Sequence, residues 1–350
     1  PGSETVVQVR RKGAIVFEQR RPALSLPRSG WKRLLSFPGA FLGYRRFVLS
    51  ALRQWPEARE AGYIGRAWFP AWTGISARRA GLVKKVVYWS GDYYPIAGSL
   101  EMRLINFIFH QIERWVIRNA DAIWYLTRRI YDAHAIRNNQ RPTSAPEKII
   151  PSQFDAFPEL HASWTPRQLH RFVYAGYLHQ SQGIEIILPA IAQARAFWPD
   201  ITLDVIGSGP DGEAFQKQAR ALGLESCVTF HGYIPEDQVH RIVAQAAAGF
   251  ALYGHDVGHP YYTQTSKVYL YVGCGIPTLI TRNAGSYDYL MEGGAGVATD
   301  YTVDSLLAQM KQLCGDEARH QLIRANALRL AQDFSREAER LKQEMKSLCA

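Results

Sequence analysis

Between Phe172 and Pro277 three short apolar segments each run into a glycine-containing turn: Arg171-Phe-Val-Tyr-Ala-Gly176, Leu203-Asp-Val-Ile-Gly-Ser-Gly209 and Val228-Thr-Phe-His-Gly232. They are followed by Ser266-Lys267, leading to Gly275-Ile-Pro277. This order constrains the fold more than any other feature. A turn that leaves a parallel strand and feeds a helix N-terminus is where α/β sheets bind nucleotides and phosphates.

The chain has 350 residues, more than one hydrophobic core usually serves, so two α/β domains are expected. Apolar residues make up 47% and charged residues 21%, a balance that excludes a disordered chain. The net charge of +10 is unevenly placed, because residues 1–160 carry about +13 and the remainder about −3. A basic surface could meet nucleic acid, yet no DNA- or RNA-binding signature accompanies it, and no nucleic-acid partner is expected. Basic and large apolar residues instead interleave in Trp31-Lys-Arg-Leu-Leu-Ser-Phe and Tyr44-Arg-Arg-Phe-Val-Leu. That pattern suits an anionic membrane surface, so peripheral membrane association is expected. Ordinary domain helices with solvated arginines are the competing reading. Charges interrupt every apolar run well before the roughly 18 residues of a membrane span. The four cysteines, Cys227, Cys274, Cys314 and Cys349, have neither zinc-type spacing nor disulfide density. Reduced thiols and a cytoplasmic location, on the inner face of the cell membrane, are therefore expected.

Periodicity predicts strands at Thr5–Val9, Ala14–Glu18, Tyr63–Trp68, Val83–Tyr88 and Ala122–Leu126, with helices around Phe41–Trp55, Gly74–Ala80 and Ser99–Arg118. Alternation of this kind implies a parallel sheet. Four prolines between Pro142 and Pro158 mark residues 140–170 as the linker. The second half predicts strands at Thr202–Ile206, Val228–Phe230, Gly249–Leu252 and Pro277–Thr281, with helices between them from Ile184–Phe197 to Lys267–Val272. Helices follow at Val303–Leu313 and Glu317–Phe334. The expected domains are 1–150 and 151–335, with 336–350 a C-terminal helix that returns to the first. The first domain reads as lacking the strand and helix that normally open such a fold, since Pro1-Gly-Ser leads directly into a basic strand.

With these strands, turns and Lys267 in order, the chain resembles the GT-B glycosyltransferases, in particular the bacterial family-4-like enzymes of surface glycan synthesis. The resemblance covers residues 171–300 well. It extends more faintly over 60–160, through Val83-Lys-Lys-Val-Val-Tyr-Trp-Ser-Gly-Asp-Tyr-Tyr and Asn119-Ala-Asp-Ala-Ile-Trp. It implies two Rossmann-like domains facing a cleft, the second holding a nucleotide-diphosphate sugar and the first presenting the acceptor. It also implies that Gly176 and His179 lie in the first donor loop, Gly207 and Gly209 in the second, and that Gly232, Tyr233 and Ile234 read the base. Taken singly, each glycine is equally consistent with a tight turn at a strand end. Thr265, Ser266 and Lys267 are more informative, because hydroxyls and free amides at a helix start, joined by one ammonium, suit a diphosphate.

The chain departs from the family in two places. Retaining members carry two glutamates where Tyr262 and Leu270 stand here, and cations in the first donor loop where this chain has Tyr177 and Gln182. The retaining site is therefore not carried over. An inverting transfer needs one carboxylate base at a strand end, and Asp92 is so placed. The segment Val87-Tyr-Trp-Ser-Gly-Asp92 is also similar to that of an inverting bacterial glucuronosyltransferase, in which an aspartate at this point is the base. Capping of the next turn is the competing role for Asp92. Lys267 would stabilise the leaving diphosphate. His231 and His255 are further candidates to line the cleft, and His255–Pro260, with Asp256, to face the donor sugar. No Asp-x-Asp motif occurs, so neither metal nor cofactor is expected. The expected activity is metal-independent transfer of a sugar from a nucleotide-diphosphate donor to a glycan or lipid-linked acceptor in bacterial surface polysaccharide synthesis. A catalytically silent GT-B protein binding a partner or glycan, and a sugar-nucleotide epimerase, are the alternatives.

Overall fold

The computed structural model describes residues 4–11, 14–22, 31–137, 144–150, 156–161, 169–254 and 259–349. The chain divides into two compact units, Pro1–Ile150 with Leu341–Ala350, and Pro151–Arg340. Both are α/β.

Unit 1 begins with an antiparallel hairpin, β1 (Glu4–Arg11) and β2 (Ala14–Pro22). Among the described residues these strands pair only with each other, so they stand outside the parallel sheet. That sheet has four strands in sequential order, β3 (Gly62–Arg66), β4 (Lys85–Ser90), β5 (Ala122–Tyr125) and β6 (Glu147–Ile149). The helices Trp31–Arg53, Trp68–Arg79 and Leu100–Asn119 belong to the same unit. The expected strand Tyr63–Trp68 stops at Arg66 because Trp68-Phe-Pro opens a helix, with Pro70 in a first turn where its missing N–H costs nothing. β6 falls inside the expected linker. Its residues Glu147-Lys-Ile are exposed on an edge strand, which carries no apolar pattern to read.

Unit 2 holds a six-stranded sheet with strands β7 (Arg171–Ala175), β8 (Thr202–Ile206), β9 (Val228–Gly232), β10 (Ala248–Ala251), β11 (Thr278–Thr281) and β12 (Gly296–Thr299). Their order is β12-β11-β10-β7-β8-β9 and every pairing is parallel. Both faces are covered. Phe172 and Tyr174 pack on the side of helix Ile184–Ala194, and Val173 and Ala175 on the side of Val243 and Tyr271. The strand order reverses between β7 and β10. In an open parallel sheet that reversal leaves a crevice at the carboxyl ends of the strands, where ligands bind. The helix expected to end at Phe334 instead runs unbroken from Glu317 to Cys349. It is fastened to unit 2 by the fully buried Arg324, which donates to the carbonyls of Ala246 and Ala244 at 3.0 and 3.3 Å.

Candidate active site

At the switch point of unit 2 lies a pocket of 660 Å³. The turns after β7, β8 and β9 and the start of helix Ser266–Gly273 converge on it, bringing Gly176, Gly207, Gly232, Tyr233, Ile234, Ser266 and Lys267 together. The first two turns stack backbone on backbone. A Cβ on Gly207 would sit 1.9 Å from the Gly176 carbonyl oxygen, and one on Gly209 2.2 Å from that of Leu178, so both positions exclude any side chain. Gly209 thus builds the crevice without lining it. His179 also stays outside the lining, its Nδ1 at 2.7 Å from the Gln180 carbonyl and its ring stacked on Tyr177. Thr265 precedes the helix and donates its backbone N–H to Ser286 Oγ at 3.3 Å. The amides of Ser266 and Lys267, in the first turn, have no intrahelical acceptor.

Lys267 is the electrostatic centre of the pocket. Its ammonium is buried over the rings of Tyr174 and Tyr253, at 4.4 and 5.0 Å from their centroids, and donates to Tyr174 Oη at 3.2 Å and Gln182 Oε1 at 3.1 Å. Among the described residues no carboxylate pairs with it. Burial pushes its pKa down to about 7, while burial holds Tyr174 well above the ordinary tyrosine value and pushes Tyr253 up to about 12, so both phenols stay neutral. Lys267 is therefore a buried cation without a counter-charge among the described residues, at the mouth of three converging turns and a helix start, an arrangement that an anion completes.

This arrangement bears on the departures that the resemblance pointed to. The resemblance implies a cation where Gln182 stands in the first donor loop, and the Lys267 ammonium lies against Gln182. The second departure is visible as well: Leu270 lines the pocket, leaving an apolar wall where the second glutamate would be. Sequence reasoning missed Phe157, Ser208, Glu236 and His240, which also line it. Ser208 lies between two singled-out glycines, and Glu236 opens the helix four residues after Gly232, so both were within reach of the turn pattern. His231 is engaged elsewhere, at 2.7 Å from Asp204 Oδ1, and that carboxylate also accepts from Arg171 Nε at 2.8 Å. His255 and Asp256 lie outside the described residues.

Asp92 belongs to unit 1. It is exposed on the turn after β4, at the carboxyl end of a parallel strand. Helix Leu100–Asn119 holds this turn: His110 Nε2 lies 2.7 Å from the Tyr94 carbonyl and Asn106 Nδ2 donates to that of Pro95 at 2.8 Å. Behind it lies a buried charged cluster. Glu113 accepts a short hydrogen bond from Tyr88 Oη and faces His110 Nδ1 at 3.2 Å and His134 Nε2 at 3.5 Å. The Tyr93 ring contacts both imidazoles, 5.0 and 5.4 Å between centroids. Burial alone would raise the Glu113 carboxyl, but His134, His110 and Tyr88 together hold it below the ordinary glutamate value. Among the described residues no group of three or more His, Cys, Asp or Glu is arranged to hold a metal ion, and no helix is long and apolar enough to cross a membrane.

Comparison with known proteins agrees with this geometry. A family model described as Glycosyl transferases group 1 matches residues 170–316. A GDP-mannose-dependent alpha-(1-6)-phosphatidylinositol monomannoside mannosyltransferase of Mycolicibacterium smegmatis is 24% identical over 339 residues, covering 90% of this chain and 82% of that protein. A 2-deoxystreptamine glucosyltransferase of Streptomyces kanamyceticus is 22% identical over 55% of this chain and 52% of its own length. Among solved structures, Anabaena HepE in complex with UDP superposes with a TM-score of 0.64 at 16% identity, over 87% of this chain and 82% of that one. A UDP-forming alpha,alpha-trehalose-phosphate synthase from Burkholderia xenovorans gives 0.67 at 12% identity, over 99% and 91%. The two parallel-sheet domains, the crevice of glycine turns and these relationships converge: residues 170–316 are a glycosyl transferases group 1 module, carried on a chain with the two-domain GT-B fold.

Proposed function

We propose that unit 2 binds a nucleoside-diphosphate sugar in the crevice, with the diphosphate at Lys267, Ser266 and the Gly176 and Gly207 turns, and the base towards Gly232, Tyr233 and Ile234. The observation that carries this reading is the buried Lys267 at the mouth of those turns, with neutral partners and no carboxylate among the described residues. In the proposed reaction the Asp92 carboxylate takes the proton of an acceptor hydroxyl. The acceptor oxygen attacks the anomeric carbon as the bond from that carbon to the diphosphate oxygen breaks, and the diphosphate leaves with the electron pair. Lys267 and the first-turn amides stabilise the charge that develops on it, which is how the reaction would proceed without a metal. With Asp92 as base the transfer inverts the anomeric centre.

The acceptor in this reading is a glycan or lipid-linked saccharide of bacterial surface polysaccharide synthesis, met at the inner face of the membrane. A basic first unit and the named substrate of the mycobacterial relative, a phosphatidylinositol mannoside, support a lipid-borne acceptor. Mass spectrometry of products from a panel of nucleotide sugars tests the activity. Donor turnover that Asp92→Asn abolishes, with folding retained, is the expected result. A second reading, a silent GT-B protein, draws on Leu270 and Gln182 standing where catalytic relatives carry charge. Tight nucleotide binding without turnover of any donor would favour it.

A further inference from the structure

The helices Trp31–Arg53, Trp68–Arg79 and Leu100–Asn119 of unit 1 enclose a groove of 540 Å³ that the chemistry above does not use. Its walls include Phe37, Phe41, Trp68, Trp72, Ile108 and Phe109, and no charged side chain lines it. The aromatic rings form one connected set: Phe41 lies 5.5 Å from Phe37 and 5.1 Å from Trp68, and Trp68 lies 4.8 Å from Phe109, between centroids. An occupant carrying hydrogen-bonding groups would leave them unsatisfied against such walls, whereas a hydrocarbon chain loses nothing.

The apolar surface continues out of the groove. Leu100, Leu104, Phe107 and Ile108 are all exposed and lie at i, i+4, i+7 and i+8, one face of their helix, and Leu42 is exposed on the first helix. A contiguous exposed apolar face of this kind marks an interaction surface. Charge beside it narrows the partner. The Arg45 guanidinium lies 5.5 Å from the centroid of the Trp72 ring, a wall of the groove, and its Nε is buried without a hydrogen-bond partner. Among the described residues no carboxylate pairs with Arg45, and Arg46 beside it is exposed. An apolar channel with a guanidinium next to one of its wall residues complements an amphiphile with an anionic head.

We propose that this groove takes the hydrocarbon chain of a phosphate-bearing membrane lipid, with the headgroup meeting Arg45, so that unit 1 seats itself on an anionic bilayer through this face. The inference rests on the membrane half of the proposed function and gives it an address. It is independent of donor binding, which belongs to unit 2.

Co-sedimentation of the full chain with phosphatidylcholine vesicles, with and without phosphatidylglycerol, tests it. The wild type is expected to bind the anionic vesicles about tenfold or more over the neutral ones. The double variant Leu104→Asp/Ile108→Asp, at two exposed positions, should lower that binding by about tenfold or more. Arg45→Ala should lower the preference for phosphatidylglycerol by about fivefold. Unchanged thermal shift with UDP or GDP in the variants, or an unchanged circular dichroism spectrum where neither nucleotide binds, shows that they are folded. Binding to neither vesicle, equal binding by the aspartate variant, or an anionic preference left unchanged by Arg45→Ala would overturn the proposal. So would a wild-type dimer that ignores vesicles and that the aspartate variant dissociates, since the face would then belong to a second copy.

Discussion

Glu113 in unit 1 and Lys267 in unit 2 are buried charges of opposite kinds. In unit 1 the buried carboxylate of Glu113 is surrounded by Tyr88, His110 and His134, while the carboxylate placed for chemistry, Asp92, is exposed on the turn that this cluster supports. In unit 2 Lys267, the proposed diphosphate ligand, has aromatic rings, a phenol oxygen and one amide oxygen for company. A paired buried charge fixes a conformation, and removing one partner is costly. An unpaired one is tolerated where a ligand completes it. Glu113 therefore serves shape and Lys267, in the proposed reading, affinity.

Substitutions can break that contrast at each end. Asp92→Asn should lower turnover about 10²–10⁴-fold while nucleoside-diphosphate affinity, measured calorimetrically, stays the same. A matching loss of affinity would show that Asp92 does not act apart from the donor site. Glu113→Leu should cost about 3–5 kcal/mol of stability in urea denaturation, because two imidazoles and a phenol lose their acceptor. A cost near zero would mean the cluster does not support the turn. Lys267→Met should do the reverse, stabilising the unliganded protein by about 1–4 kcal/mol while removing diphosphate binding. A destabilised variant would show that the lysine is structural.

The pH dependence sharpens the same comparison. The folded pKa of Lys267, about 7, lies below its ordinary 10.5, so the unfolded chain binds more protons between those values. Its contribution to stability therefore rises as pH climbs from about 7 towards 10.5, and Lys267→Met should flatten that rise. Glu113 gives a slope of the same sign in the acid range: its lowered folded pKa gives stability that is present above the ordinary glutamate range and is lost as pH falls through the folded value. The smallest effect expected is that of Tyr233→Ala, which removes an exposed ring at the pocket edge and should weaken nucleotide binding by about 0.5–1.5 kcal/mol.

The donor crevice was largely legible because its signal is local. An apolar strand, a glycine and a helix start lie within a few residues of each other, and the sheet order then brings the turns together. What surrounds Lys267 was not legible, since Tyr174 and Gln182 stand 93 and 85 residues away from it in the chain. The Glu113 cluster was hidden in the same way, as its four side chains, on two helices and a strand, meet only after packing. Edge strands escaped for a different reason: Glu147-Lys-Ile is polar, and Gly296-Val-Ala-Thr is short with small residues of modest strand preference. Gly209 was recognised as special, but the constraint that keeps it a glycine is the Leu178 backbone rather than a ligand.

The central claim is that Lys267 waits, partly neutral and without a counter-charge, for the diphosphate. Isothermal titration of UDP and GDP into the wild type and Lys267→Met at pH 7 and pH 9 tests it most directly. We predict wild-type affinity that falls by up to about tenfold per pH unit above the folded pKa of Lys267, with proton uptake on binding at pH 9, and neither behaviour in Lys267→Met. Binding that is independent of pH in this range, or retained by the methionine variant, would contradict the account.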